Sequence, residues 1–179
     1  GAERSREFVE THYATLRAMA RSRRRRAAHT DGLLTTDILH DAWLKLARRD
    51  DWNDEAHFLS AAAHAMRSVI VDNARSLLTA KRGGGVAHLA YGDLADILSD
   101  PSEAPEDVVV INDLIENLKL AQPRVAQVVV LRYFGGFNDA EAALLLGVSD
   151  RTVRNDWRFA RAWIAGHLRP ADPCETRIS

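Results

Sequence analysis

PRVAQVVVLRYFGGFNDAEAALLLGVSDRTVRNDWRFARAWIAGHL, running from Pro123 to Leu168, decides the fold. A proline starts a helix, Gly135-Gly136 break it, and a short capped helix follows. A glycine-containing turn then leads into a long basic amphipathic helix. This order predicts a helix-turn-helix unit of the kind that binds DNA. Asn138 fits an N-cap, and Glu141 three residues on completes a capping box. Ala142, Leu145 and Leu146 give that helix a buried face, and Gly147 suits the left-handed position that ends it. Ser149 caps the next helix, with Asp150 at its positive end. Val153, Trp157, Ala160, Ile164 and Leu168 then recur at helical spacing as one apolar stripe. Arg151, Arg154, Asn155, Arg158 and Arg161 fall on the opposite face. The N-terminal part of such a helix enters the major groove. Arg151, Thr152, Arg154 and Asn155, beside the Ser149 cap, are therefore the candidates for base contacts. Arg158 and Arg161 lie farther along, where phosphate contacts are expected. A solvated face on an ordinary bundle helix would also be charged, but here caps, turn, stripe and basic face agree on DNA.

The rest of the chain is ordinary in composition. It has 179 residues, 46% hydrophobic and 27% charged, enough for one or two small soluble domains. No long apolar run or signal-peptide pattern is present, which predicts a cytoplasmic protein without a membrane segment. The single cysteine, Cys174, lies in a polar tail, so no disulfide or cysteine-based zinc site forms within one chain. The net charge of −1 conceals segregation. Gly92 to Leu118 carries eight acidic residues and no Lys or Arg, whereas the first thirty residues hold eight Arg against three Glu.

The periodicity is helical throughout, which predicts an all-α fold of two small helical domains joined by an acidic flexible linker. Phe8, Tyr13, Leu16, Met19 and Ala20 mark a first helix running into the arginines Arg21 to Arg26. Thr35 or Thr36 caps a second, with Ile38, Ala42, Trp43 and Leu46. Asn53 or Asp54 caps a long third, with Phe58, Ala62, Ala65, Met66, Val69, Asn73 and Leu77. Gly83-Gly84-Gly85 ends it. The boundaries read 3–85 for the first domain, 86–106 for the linker, 107–168 for the helix-turn-helix domain and 169–179 for a disordered tail.

Laid out this way, nearly the whole chain resembles the extracytoplasmic-function (ECF) group of bacterial sigma factors. LRYFGGFNDAEAALLLGVSDRTVRNDWRFARAWI is similar to the sigma domain that reads the −35 promoter element. DILHDAWLKLARRDDWNDEAHFLSAAAHAMRSVIVDNARS resembles the domain that binds the polymerase clamp and melts the −10 element. The resemblance implies the following roles. Asp37, His40, Asp41 and Leu44 would grip the clamp of the largest polymerase subunit. Arg48 to Asp54 would cradle a base flipped from the −10 element, with Trp52 as stacking surface. Phe58, also nearby, reads better as core, while Trp52 fits either role. Arg67, Asn73 and Arg75, with Lys81 and Arg82, would lie beside upstream −10 DNA. The implied partners are core RNA polymerase (clamp, and flap of the second-largest subunit) and promoter DNA, with no cofactor or metal.

Two departures from the family pattern stand out. The acidic Asp-Ala-Glu-Asp motif of many members is replaced by Leu34-Thr35-Thr36-Asp37. Some members with this change resemble a group controlled by Ser/Thr kinases instead of anti-sigma factors. Phosphorylation of Thr36, or else Thr35, would restore about −1.5 to −2 charge near a helix N-terminus. Plain N-capping is the commoner use of threonine there. Ser68 stands where the family often has Asn on the −10 helix. Two other readings remain. A stand-alone helix-turn-helix regulator would lack the −10-like segment and the arginine cluster. An enzyme is suggested only by the dipeptide His40-Asp41, and no spaced His and Asp partners complete a metal set.

Overall fold

The computed structural model describes residues 2–26, 35–49, 52, 54–80, 98 and 104–168, and every regular element among them is a helix. Helix α1 (Ala2–Thr11) passes into α2 (Tyr13–Arg26) through a joint at His12, bridged by main-chain bonds from His12 to Phe8 and from Leu16 to His12. The His12 ring packs on Phe8 and Phe58 with centroids 5.9 and 5.5 Å away. Tyr13, placed on the apolar track by its spacing, is 49% exposed, because the track turns at this joint. Helix α3 is Thr35–Ala47. The longest helix, α4 (Glu55–Ala80), starts where the Asp54 carboxylate accepts the His57 N–H at 2.8 Å, so Asp54 is its cap.

Helix α4 is buried around most of its girth, by Phe58, Ala62, Ala63, Met66, Ile70 and Ala74 among others. A helix apolar on this many sides packs against more than one neighbour. It meets α3, and it also meets α5 (Pro105–Ala121) and the turn Val130–Phe134. Helix α5 begins two residues before the boundary read from the sequence, because Pro105 occupies its first turn with Glu106 and Asp107 at the positive end. Helix α6 (Pro123–Val129) runs into a π-helical turn, Val130–Phe134. Helices α7 (Asp139–Leu146) and α8 (Asp150–Leu168) complete the chain.

One continuous apolar core runs from Leu16 and Leu46 through Phe58 and Met66 to Ile111, Phe134 and Ile164. The N- and C-terminal helices thus share a core along α4. At Gly135 an added Cβ would lie 2.6 Å from the Leu131 carbonyl oxygen, so the turn itself requires glycine, and 3.0 Å from the Ala63 Cβ of α4. Leu98, inside the stretch read as a flexible linker, is only 4% exposed and joins the core, since an apolar side chain gains by leaving water even from an acidic segment. The rest of residues 86–103, Lys81, Arg82 and the tail 169–179 lie outside the described residues. No described helix is long and apolar enough to cross a membrane.

Candidate nucleic-acid and polymerase-binding surfaces

The α7–α8 pair is built as its sequence predicts. Asn138 Oδ1 accepts the Glu141 N–H at 2.9 Å, and Glu141 Oε2 accepts the Asn138 N–H at 2.8 Å. Gly147 ends α7 with φ 64° and ψ 34°, and the Val148 N–H reaches back to Ala143 O at 3.1 Å. No atom lies within 4 Å of a Cβ built there, so the need for glycine comes from the backbone alone. Gly147→Ala should therefore cost about 1–2 kcal/mol in urea unfolding. Ser149 Oγ accepts the Thr152 N–H at 3.2 Å and shares a hydrogen bond with Thr152 Oγ1 at 2.9 Å. Both residues thereby fix the first turn of α8.

Val153, Ala160 and Ile164 of α8 are fully buried. Two contacts set the helix in place. Arg124 grips the buried Asp156 carboxylate twice, from Nε at 2.7 Å and from Nη2 at 3.1 Å. The hydrogen bond to Asp156, then its charge, raises the Arg124 pKa further. Arg132 pairs with Asp139 at 3.0 Å and lies 4.1 Å above the Trp157 ring, joining the π turn to α7 and α8. Outward from this frame Arg151, Arg154, Asn155 and Arg158 are exposed in one row, with Arg161 half-buried beyond them. Arg158 Nη2 donates to Asn155 Oδ1 at 2.9 Å. Among the described residues, no carboxylate lies within ion-pair distance of Arg151, Arg154 or Arg158.

On α3, Ile38, Leu39, Ala42 and Leu46 are buried, while Asp37, His40, Asp41 and Leu44 share the exposed face at i, i+3, i+4 and i+7 spacing. The His40 ring stacks on Trp43 at 6.4 Å. Thr36 is exposed in the first turn and lines an apolar groove of about 650 Å³ with Glu10, Tyr13, Leu39, His40 and Trp43. Asn73 lines a second cleft, shared with Asp41, Leu44 and Asp72. Nearby, Lys45 Nζ donates to Ser68 Oγ at 2.8 Å.

Of the residues assigned to −10 DNA, Trp52 and Arg67 are buried, while Arg75 is exposed beside a carboxylate. Trp52 is 2% exposed. Its indole meets Phe58 edge-on at 5.1 Å, with the Arg49 guanidinium 5.2 Å over it, so it closes the end of the bundle and offers no free stacking face. Arg67 is 8% exposed. Its Nε and Nη2 donate to Asn112 Oδ1 at 3.0 and 2.7 Å, and Nη2 pairs with Glu116 Oε1 at 2.7 Å. A guanidinium drawn from water needs such partners, and α5 supplies them. Arg75 lies 3.7 Å from Asp113. Asp113 and Glu116 belong to the acidic stretch of the sequence, and Asn112, next to Ile111 on the apolar side of α5, is a buried polar contact that the sequence alone does not single out. Beside this cluster, burial first and then the Arg67 and Lys119 charges lower the His64 pKa, against the pull of Glu116.

Among the described residues, no group of three or more His, Cys, Asp or Glu side chains is arranged to hold a metal ion. Searches of curated proteins and of solved structures found no match. A family model described as "ECF sigma factor" matches residues 1–170. That match spans both the exposed α3 face and the basic row of α8, and the chain belongs to the ECF sigma factor family.

Proposed function

We propose that this sigma factor docks on the clamp of core RNA polymerase through Asp37, His40, Asp41 and Leu44 and reads promoter DNA at two places. In this reading α7 and α8 form a helix-turn-helix on the −35 element, anchored also to the polymerase flap. Residues 3–85 act on the −10 element, and residues 86–106 tether the two units while polymerase holds them apart. Sigma factors of this family are transcription-initiation proteins, not enzymes, and they work with core polymerase and promoter DNA. The observation that carries the proposal is the exposed row Arg151, Arg154, Asn155 and Arg158, whose arginines have no carboxylate partner among the described residues, on a helix otherwise fixed by its caps and by Arg124. Arg154→Ala should weaken binding to cognate duplex at fixed salt by about 1–3 kcal/mol if its guanidinium pairs with a guanine edge. Unchanged affinity for Arg151, Arg154 and Arg158 alanine variants alike sinks the −35 assignment.

The same reading makes Thr36 a switch. It is exposed at the start of α3, where the family's acidic motif is missing, and a phosphate there gains from the helix N-terminus. About two added charges and three acceptor oxygens suffice for one to three bonds to clamp arginines. A Ser/Thr protein kinase is then the activating partner, in place of release from an anti-sigma factor. Kinase-treated protein should transcribe genomic DNA with core polymerase at about tenfold the unmodified rate at sub-saturating polymerase, the equivalent of roughly 1.4 kcal/mol. Thr36→Ala should abolish the gain. Full activity without phosphate, or activation that survives both Thr35→Ala and Thr36→Ala, leaves these threonines as helix caps.

A further inference from the structure

The exposed arginines of α8 are not equivalent. Arg151 and Arg154 have no carboxylate in reach among the described residues, whereas Arg158 Nη2 donates to the side-chain oxygen of Asn155 at 2.9 Å. Residues three apart on a helix are neighbours, so this pair lies on the face that the −35 reading turns toward DNA. The carboxylate nearest in sequence, Asp156, is buried and held by Arg124, so it does not draw the Arg158 guanidinium away. A guanidinium has donors and no acceptor. The Asn155 amide must therefore turn its oxygen toward Arg158 and its NH2 group away. The oxygen keeps a second lone pair and the nitrogen keeps both hydrogens. An acceptor and a donor side by side match adenine, whose N6 amino group donates and whose N7 accepts in the major groove. An amide with nothing to hold it turns over easily, because this terminal torsion is broad and roughly two-fold. In the reversed orientation it offers the wrong group to each of those two atoms.

We propose that Arg158 is a positioning residue for promoter reading: it holds the Asn155 amide in the one orientation that pairs with adenine, so that the two residues together read a single −35 position. This rests on the −35 assignment of α8 made above. It changes the role expected of Arg158 from phosphate contact to support of a base contact, and the two roles differ in what they move. Neutralising a phosphate strengthens binding to every sequence and steepens the dependence of log K on log salt by about one unit. Supporting a base contact sets discrimination at one position and leaves that slope alone.

The test uses the full chain bound to core RNA polymerase and a duplex library randomised across the −35 region. The bound sequences give the preferred base at each position, and single-base-pair changes to the selected duplex then give affinities at fixed salt. The unmodified chain should prefer adenine at one position by about tenfold over the other bases. Asn155→Ala should erase that preference and no other. Arg158→Met, close in length but without a donor, should reduce it to about threefold or less, leaving the salt slope unchanged. The double change should lose no more discrimination than Asn155→Ala alone, as expected of two residues that act as one. Arg158→Gln keeps an amide donor at this spacing without the charge and should keep most of the preference. Both side chains are exposed, so each variant should keep the wild-type dichroism and urea midpoint. If Arg158→Met keeps the adenine preference and weakens every duplex alike, with a slope shallower by about one, Arg158 is a phosphate contact and the proposal is overturned. Loss in Arg158→Gln as complete as in Arg158→Met overturns the hydrogen bond as the cause. A preference for a base other than adenine that Asn155→Ala erases overturns the orientation assigned to the amide. In each of these outcomes the other −35 preferences persist and the −35 assignment stands. No preference anywhere in the −35 region with the unmodified chain removes that assignment, and the proposal with it.

Discussion

Asp41→Lys is expected to abolish co-purification with core RNA polymerase while leaving the far-ultraviolet dichroism and the urea midpoint close to wild type. Asp41 sits in the middle of the exposed α3 row, one turn from Asp37 and next to Leu44, which keeps 39% of its surface in solvent. Reversal at the centre of a docking face places like charge against the arginines implied for the clamp, and like-charge juxtaposition costs several kcal/mol. The same change on a solvated helix face costs the fold no more than about 0.5 kcal/mol. The two effects therefore separate cleanly. Leu44→Ala should weaken capture without abolishing it, since it removes apolar contact and adds no repulsion. Wild-type yield of Asp41→Lys on immobilised core polymerase removes α3 from the interface.

Trp52→Ala should lower stability by about 3–5 kcal/mol in urea unfolding, as expected for a large aromatic lost from a core. The indole is almost wholly buried against Phe58, a residue that itself has no exposed surface and also packs on Phe8. Against a total stability of about 5–15 kcal/mol, this loss leaves a protein close to its limit. Trp52→Phe should cost less, because it keeps the edge-on ring contact. If Trp52→Ala melts like wild type and fails only in promoter opening, the indole is a platform for a flipped base and its burial is not what holds it in place.

The C-terminal unit was legible because its signals are local. A capping box, a left-handed glycine and a serine cap each depend on residues three or four apart, and all three form as read. The α3 residues Asp37, His40, Asp41 and Leu44 come from the resemblance to the family, and they share one exposed face. What sequence periodicity cannot give is which face of α4 meets which partner. Arg67 was assigned to DNA on charge and position, but its partners Asn112 and Glu116 lie 45 and 49 residues away. The spacing of Ile111, Leu114, Ile115 and Leu118 marks a helix without saying that α4 covers it. Trp52 posed the same problem. An aromatic in a polar loop reads as available, and only the packed position of Phe58 shows what it covers. Asp156 was hidden on α8 because a lone carboxylate among arginines reads as surface, whereas here it is the buried anchor for Arg124.

The central claim is that this chain gives core RNA polymerase its promoter choice, with α3 on the enzyme and α8 on the DNA. Initiation on fragmented genomic DNA, with 5′ ends mapped with and without the chain, tests it most directly. The account predicts new, reproducible start sites that require the chain, share a spaced −35 and −10 pattern, and vanish with Asp41→Lys or with the Arg151, Arg154 and Arg158 alanine triple. Start sites that do not change when the chain is added, while the chain alone still selects particular duplexes, would contradict it and identify a DNA-binding regulator that works without the polymerase clamp.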